Sequence, residues 1–229
     1  MTTVFYNKKV LITAGPTREP IDPVRYISNH SSGKMGYAIA EQFLQLGAQV
    51  ILVSGPVQLG LAHPHLKIVA VNTAAEMYLA CCRYFETCEI AVFTAAVADY
   101  RPARIARQKI KKDDSEFAIH LVKNVDIAAE FGKIKNEKQL SVGFALETND
   151  ELAHASAKLE RKNFDMVILN SMNDAHAGFG YDTNKITILT NDLKQKQFAL
   201  KDKKEVAKDI VQEIAGLLLT QQYTTTITT

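Results

Sequence analysis

Six short apolar runs, separated by polar loops and segments of helical period, constrain this chain more than any other feature. Val10-Leu11-Ile12-Thr13-Ala14 ends at Gly15-Pro16, and Val50-Ile51-Leu52-Val53, Ile68-Val69-Ala70-Val71, Ile90-Ala91-Val92-Phe93-Thr94, Ser141-Val142-Gly143-Phe144-Ala145 and Met166-Val167-Ile168-Leu169 follow. These runs do not alternate polar with apolar, so each reads as a strand covered on both faces. Between them, Met35, Ile39, Phe43 and Leu46 recur at helical spacing before Gly47, a C-cap glycine. Thr73 and Glu76 form a capping box that opens a helix running to about Phe85, and residues 125–134 and 151–162 are further helices. The expected fold is α/β: a three-layer, Rossmann-like, mostly parallel sheet with helices on both faces. Near the C-terminus, residues 185–189 and 197–200 read as paired strands around Asn191-Asp192, followed by a helix capped by Asp202 with Glu205 three positions on.

At 229 residues and 47% hydrophobic, the chain can bury one large core, so residues 1–229 read as a single domain, with the threonine-rich segment 221–229 expected to fray. A net charge of +2 gives no nucleic-acid surface, so any phosphate binding must come from local clusters. Cys81, Cys82 and Cys88 are an odd number among helix and strand formers, which suits a reducing compartment rather than a disulfide framework. With no apolar run long enough for a membrane span and no signal-peptide core, the expected location is the cytoplasm. His30, His63, His65, His120, His154 and His176 show no zinc-binding spacing.

Open parallel sheets bind ligands beyond the carboxyl ends of their strands, so the residues just after each strand carry the functional information. The loop from Gly15 to Gly36 holds two arginines, a lysine, several hydroxyls and three prolines ahead of a helix, which allows an anion site at that helix's N-terminus. It is neither a Walker A loop, since Met35 stands where Ser or Thr would be needed, nor a Gly-x-Gly-x-x-Gly fingerprint. After Phe93, Thr94-Ala95-Ala96-Val97-Ala98-Asp99 offers small residues for close approach and a carboxylate acceptor, although Asp99 alone also reads as a turn or cap. Lys109-Ile110-Lys111-Lys112 is either a solvated face or a mobile cationic arm. Lys158 and Lys162 share one helix face, where they repel unless an anion lies between them. Phe144 reads as core, or as a ring free to cover a base because Gly143 beside it leaves room. The segment from Gly178 to Asn184 is a turn or a lid.

Four segments go beyond generic pattern: Gly15-Pro16-Thr17-Arg18-Glu19-Pro20-Ile21-Asp22-Pro23-Val24-Arg25 with Ile27-Ser28-Asn29-His30-Ser31-Ser32-Gly33-Lys34-Met35-Gly36; Ala95-Ala96-Val97-Ala98-Asp99-Tyr100-Arg101; Lys109-Ile110-Lys111-Lys112 with Val122-Lys123-Asn124; and Val142-Gly143-Phe144 leading to Glu147-Thr148-Asn149. In this order they resemble the bacterial phosphopantothenoylcysteine synthetases, either free enzymes or the C-terminal part of a bifunctional protein with a flavin decarboxylase. The resemblance implies a ligase that joins 4'-phosphopantothenate to L-cysteine through an acyl-cytidylate, converting CTP to CMP and pyrophosphate with Mg2+. An ATP-dependent version is the first alternative, and a Rossmann-like oxidoreductase the second.

The resemblance also implies that Asn29 binds the acyl-cytidylate and Lys109 supports its formation. Thr94, Ala95, Ala96 and Asp99 would recognise cytosine, and Val125, Asp126, Ile127, Ala128, Phe144, Lys158 and Lys162 would be further nucleotide contacts. It implies a homodimer joined through extra strands near the recognition loop, and a separate decarboxylase acting next in the pathway. It leaves metal ligands unassigned. Three departures from the family pattern are Pro16 in place of a second glycine, Arg107-Gln108 before Lys109, and Leu146 in place of alanine.

Overall fold

A strand buried at every position but its first must lie inside a sheet covered on both faces, and β1 (Lys9–Ala14) does. The computed structural model describes residues 4–111, 117–147, 149–171 and 181–227. After β1 come β2 (Arg18–Pro20), β3 (Tyr26–Ser28), α1 (Lys34–Gln45), β4 (Gln49–Ser54), β5 (Leu66–Ala70), α2 (Ala74–Cys82), β6 (Ile90–Phe93), β7 (Tyr100–Pro102) and β8 (Leu121–Lys123). The second half contains α3 (Ile127–Ile134), β9 (Leu140–Glu147), α4 (Glu151–Arg161), β10 (Met166–Ser171), β11 (Thr183–Asn184), β12 (Ile186–Thr190), β13 (Gln195–Gln197), β14 (Lys201–Asp202) and α5 (Lys203–Ile227).

Eight strands form one sheet in the order β13-β12-β10-β9-β6-β1-β4-β5. Every pairing from β10 to β5 is parallel, while β12 and β13 add an antiparallel edge. Alternation along β1 then decides the layers. Val10 and Ile12 join the core under α1 and α5, with Ile39, Phe43, Val206 and Ile210. Leu11 points the other way, toward Met77 and Cys81 of α2 and Ile127 and Phe131 of α3. Farther along the same face, Val167 and Leu169 pack against Ala155 and Leu159 of α4. The three-layer parallel fold expected from the apolar runs is the one observed.

Local signals hold at the helix ends. Thr73 Oγ1 accepts from Glu76 N at 3.2 Å, while Glu76 Oε2 accepts from Asn72 N at 2.6 Å and from Thr73 N at 3.4 Å. Gly47 closes α1 with φ +84°, a left-handed position that suits glycine. Cys81 and Cys88 are buried and Cys82 is exposed, and all three are free thiols. Burial pushes the Cys88 thiol up to about 12, which keeps it protonated and inert.

Three small features had no clear sequence signal: the β2–β3 hairpin inside the long loop after β1, the β7–β8 pair, and the two-residue β11–β14 pair. α5 also continues through Ile227, so helix reaches into the 221–229 segment read as a tail. The reading of Gly143 needs correction. A Cβ there would lie 2.1 Å from the ring of Phe164, so the missing side chain makes room for a core phenylalanine and not for a ligand. Gly143→Ala is therefore expected to cost roughly 1–3 kcal/mol through overpacking. Pairing it with Phe164→Leu should restore part of the loss, measured by urea denaturation of the single and double variants.

Candidate functional site

The chain runs from β1 outward to β4 and β5, then returns with β6 on the other side of β1. That reversal splays the chain beyond β1 and β6 and opens a cleft at their carboxyl ends. A cavity of about 630 Å³ lies there, within the usual range for small-molecule sites.

Its floor is the segment after β6, which is tied down by polar groups that follow β1. Thr94 Oγ1 donates to Thr13 O at 2.7 Å, Ala95 N donates to Thr13 Oγ1 at 3.3 Å, and Ala96 N donates to Gly15 O at 2.9 Å. Farther on, Ala98 N donates to the buried Thr17 Oγ1 at 3.0 Å, and Asn124 Nδ2 donates to Ala98 O at 2.8 Å. The amides of Ala95, Ala96 and Ala98 thus donate within the protein, so the alanines serve a ligand by allowing close approach. α1 is equally close: a Cβ at Gly36 would meet Thr94 Oγ1 at 2.5 Å and Ala14 Cβ at 2.6 Å. This contact explains the glycine two residues after Lys34.

Most of the residues expected at the site line this one cavity: Thr94, Ala95, Ala96, Asp99, Val125, Asp126, Ile127, Ala128, Phe144, Lys158 and Lys162. They come from four chain segments, and the half-buried Phe144 both packs against the main core and lies on the cavity lining. Asn29 and Lys109 stand outside the lining. Asn29 reaches its rim, donating from Nδ2 to Ala96 O at 3.0 Å, and Lys109 is exposed. Lys123, from the third motif segment, and Asn184, from the segment read as a turn or a lid, line the cavity as well, as do Asn170 and Lys203, which the sequence reading did not single out. Asn170 directly follows the apolar run of β10, the kind of position where a strand-end search finds ligand groups.

Charge is distributed in pairs. Lys158 donates to Phe144 O at 3.3 Å and lies 3.6 Å from Glu147 Oε1. Burial pushes its ammonium below the usual lysine range; Glu147 opposes this and Lys162 adds to it. Lys162 pairs with Asp126 at 2.9 Å, and Asp126 also caps α3 by accepting from Ala129 N at 3.2 Å. Burial works to raise the Asp126 carboxyl, but the Lys162 ammonium outweighs it and the net direction is down.

Lys109 is held by a clamp on its neighbour. The buried Asp22 accepts from Ile110 N at 3.1 Å and takes the Arg25 guanidinium at 3.0 Å from Nε, while Arg25 Nη2 donates to Ile110 O at 3.1 Å. Ala106 N donates to Ile21 O at 2.9 Å, a second tie between this arm and the loop after β1. Arg25 beside Asp22 holds its carboxyl well below the usual range. Lys112, Thr148 and Gly178-Phe179-Gly180 lie outside the described residues.

Fold and site together define an α/β protein with a ligand cleft at the switch point of a parallel sheet. Residues 5–218 match the family described as DNA/pantothenate metabolism flavoprotein C-terminal domain, and the chain belongs to that family. It is 45% identical over 211 residues to the coenzyme A biosynthesis bifunctional protein CoaBC of Bacillus subtilis (strain 168), a match covering 92% of this chain and 52% of that protein. It is 50% identical over 212 residues to a protein of an unknown prokaryotic organism named cysteine/cysteine sulfinic acid decarboxylase, covering 93% of this chain and 59% of that one. The chain thus spans between half and three-fifths of these relatives. Among solved structures, the C-terminal domain of a coenzyme A biosynthesis bifunctional protein CoaBC aligns with TM-score 0.79 and 42% identity, covering 94% of this chain and 99% of that one.

Asp22→Asn keeps the shape of the clamp and removes its charge. Amide exchange at Ile110 is expected to rise about tenfold, the equivalent of one weakened charge-assisted bond, with exchange in β1 unchanged. Hydrogen-exchange mass spectrometry resolved to the segment after Pro102 measures it.

Proposed function

We propose that this chain is the ligase domain that joins 4'-phosphopantothenate to L-cysteine with CTP as the energy source. The observation that carries the reading is the convergence of four sequence-distant motif segments on one cavity at the switch point. Kinship with CoaBC, named for coenzyme A biosynthesis, supports the pathway.

A carboxylate resists amine attack because its carbonyl is electron-rich and oxide is a poor leaving group. In the proposed reaction a carboxylate oxygen of the acid attacks the α-phosphorus of CTP, the bond to the β-phosphate oxygen breaks, and pyrophosphate leaves. The cysteine amine then attacks the acyl carbon, CMP departs with its oxygen, and the amine gives up a proton. Magnesium enters as the counterion of the nucleotide phosphates.

Lys158 and Lys162 neutralise phosphate charge, which frees Glu147 and Asp126 from their present partners. Asp99 and the alanine floor hold the base. Asn29, already anchored at the rim on Ala96 O, has both a donor and an acceptor for the acyl-nucleotide. Lys109 is exposed, which suits a group that meets the α-phosphate after the nucleotide has entered. An ATP-dependent version of the same ligase is the alternative. Val24, Tyr26, Tyr100, Ile105 and Leu121, exposed on and beside the β2–β3 and β7–β8 pairs, suit the face of a homodimer. A cytoplasmic location fits the reading, and among the described residues no helix is long and apolar enough to cross a membrane. A separate flavin-dependent decarboxylase would act on the product.

With 4'-phosphopantothenate, cysteine and magnesium, CTP should release pyrophosphate and yield an amide product of the expected mass. A product without cysteine dependence, or none with either CTP or ATP, would overturn the reading. Lys109→Gln is expected to slow single-turnover pyrophosphate release on the order of a hundredfold or more. Asn29→Asp should leave pyrophosphate release but let the acyl-cytidylate accumulate, detected by rapid quench and mass spectrometry.

A further inference from the structure

The segment that ends β9 brings Phe144 to the cavity and places Glu147 three residues farther on, beside α4. A carboxylate next to a cavity that is to hold phosphate repels the ligand, so its presence there needs a reason. The reason lies in the helix it faces. His154, Lys158 and Lys162 follow one another at intervals of four along α4 and its C-cap, which puts them in one row. Glu147 meets that row with both oxygens: Oε1 lies 3.6 Å from Lys158 Nζ, and Oε2 lies 3.5 Å from His154 Nδ1.

Lys158 needs a counter-charge. Burial works against its charged form, and Lys162 and Arg161 on the same helix push in the same direction, because each positive neighbour makes a further positive charge harder to hold. From α3, Asp126 is already committed: its Oδ1 takes Lys162 Nζ at 2.9 Å and the Ala129 amide at 3.2 Å. From β9, Phe144 O accepts from Lys158 at 3.3 Å, a bond that orients the amine but that a neutral amine makes as well. Among the described residues this leaves Glu147 as the carboxylate beside the Lys158 ammonium. Both side chains are 21% exposed, so solvent and salt screen the pair less than they would a surface pair.

We propose that Glu147 is a positioning residue: it keeps the Lys158 amine charged and beside Phe144 O on the cavity wall, so that the cation is ready before an anion enters. The anion then takes over as the counter-charge. Two cases can be told apart. An anion that meets a lysine already charged takes up no proton, whereas one that meets a partly neutral lysine draws a proton in with it, and its binding weakens as pH rises. The use of the cation in the nucleotide reaction rests on the ligase reading; the dependence of Lys158 on Glu147 rests on the geometry.

Competitive acetylation of the folded chain across a pH series, with Lys158 and Lys162 quantified by peptide mass spectrometry, tests the dependence directly, since only the neutral amine reacts. In Glu147→Gln, which keeps the size of the side chain, Lys158 is expected to label about fivefold faster at mildly alkaline pH. Lys162, whose Asp126 is untouched, should not label faster. Glu147→Asp keeps the charge and should hold Lys158 within about twofold of the unaltered chain. Equal labelling of Lys158 in Glu147→Gln and the unaltered chain would overturn the proposal, and so would a rise at Lys158 and Lys162 alike, which marks opening of the site. A second measurement carries the effect to a ligand. Calorimetric titration with CTP in buffers of different ionisation heat counts the protons taken up on binding, and Glu147→Gln is expected to take up more than the unaltered chain; equal uptake would also overturn the proposal. If the unaltered chain bound no CTP while Lys158 labelled faster in Glu147→Gln, the ligase reading would fall and the positioning of Lys158 would stand.

Discussion

The hydrogen bonds that join the chain after β1 to the chain after β6 hold the site open and in shape. Thr13 offers its carbonyl to Thr94 and its hydroxyl oxygen to Ala95, and the parallel bridge between Pro16 and Ala96 prolongs the strand pairing past the end of the sheet. Strands that lie side by side at the switch point would otherwise diverge as their connections leave in opposite directions. The amides of Ala95, Ala96 and Ala98 are engaged internally, so the floor has few free backbone donors. Asp99 adds a carboxylate on the same lining.

The walls follow a different logic. Four of the five lysines on the cavity lining have a carboxylate or carbonyl near the ammonium: Glu147 and Phe144 O for Lys158, Asp126 for Lys162, Asp182 for Lys34 and Tyr181 O for Lys203. A cavity with several unscreened lysines would repel itself and lower the stability of the fold. The paired carboxylates offset that repulsion on the cavity walls. The two halves differ in depth. Asp126 accepts from both Lys162 Nζ and the Ala129 amide at the one oxygen Oδ1, and so also caps α3, whereas Asp182 is solvent-exposed.

Much of this was legible in the residues. Most of the strand-forming runs were buried on both faces and therefore continuous in sequence, a signal that a window of a few residues can read, whereas the run at Ile68 forms the edge strand β5 and is largely exposed. Capping at Thr73 and the glycine at Gly47 were equally local. What escaped was either short or dependent on distant partners. β2 and β3 are three residues each and are stabilised by contacts with β7 and by Asp22, none of which has a periodic signature. Gly143 was read as room for a ligand because the sequence does not reveal that Phe164 folds back over it. Lys203 looked like an ordinary residue following a cap. Its place on the cavity lining appears only when α5 is packed beside α1.

The position of Lys109 is the last consequence of this arrangement. Its arm is connected to the cavity floor through a chain of fixed contacts: Ile110 to Asp22 and Arg25, the β2–β3 hairpin to its own pairing, Ser28 Oγ to Thr17 O at 2.8 Å, and Thr17 Oγ1 to Ala98 N. Asn29 leaves the same hairpin and ends on Ala96 O. The two residues with proposed roles in the two half-reactions therefore share one support. Asn29 and the Ile110 clamp are thus both tied to the hairpin, and through Ala96 O and Ala98 N to the cavity floor. In the proposed ligase reaction such a linkage would keep the group that helps form the acyl-nucleotide and the group that holds it aligned on the same atoms.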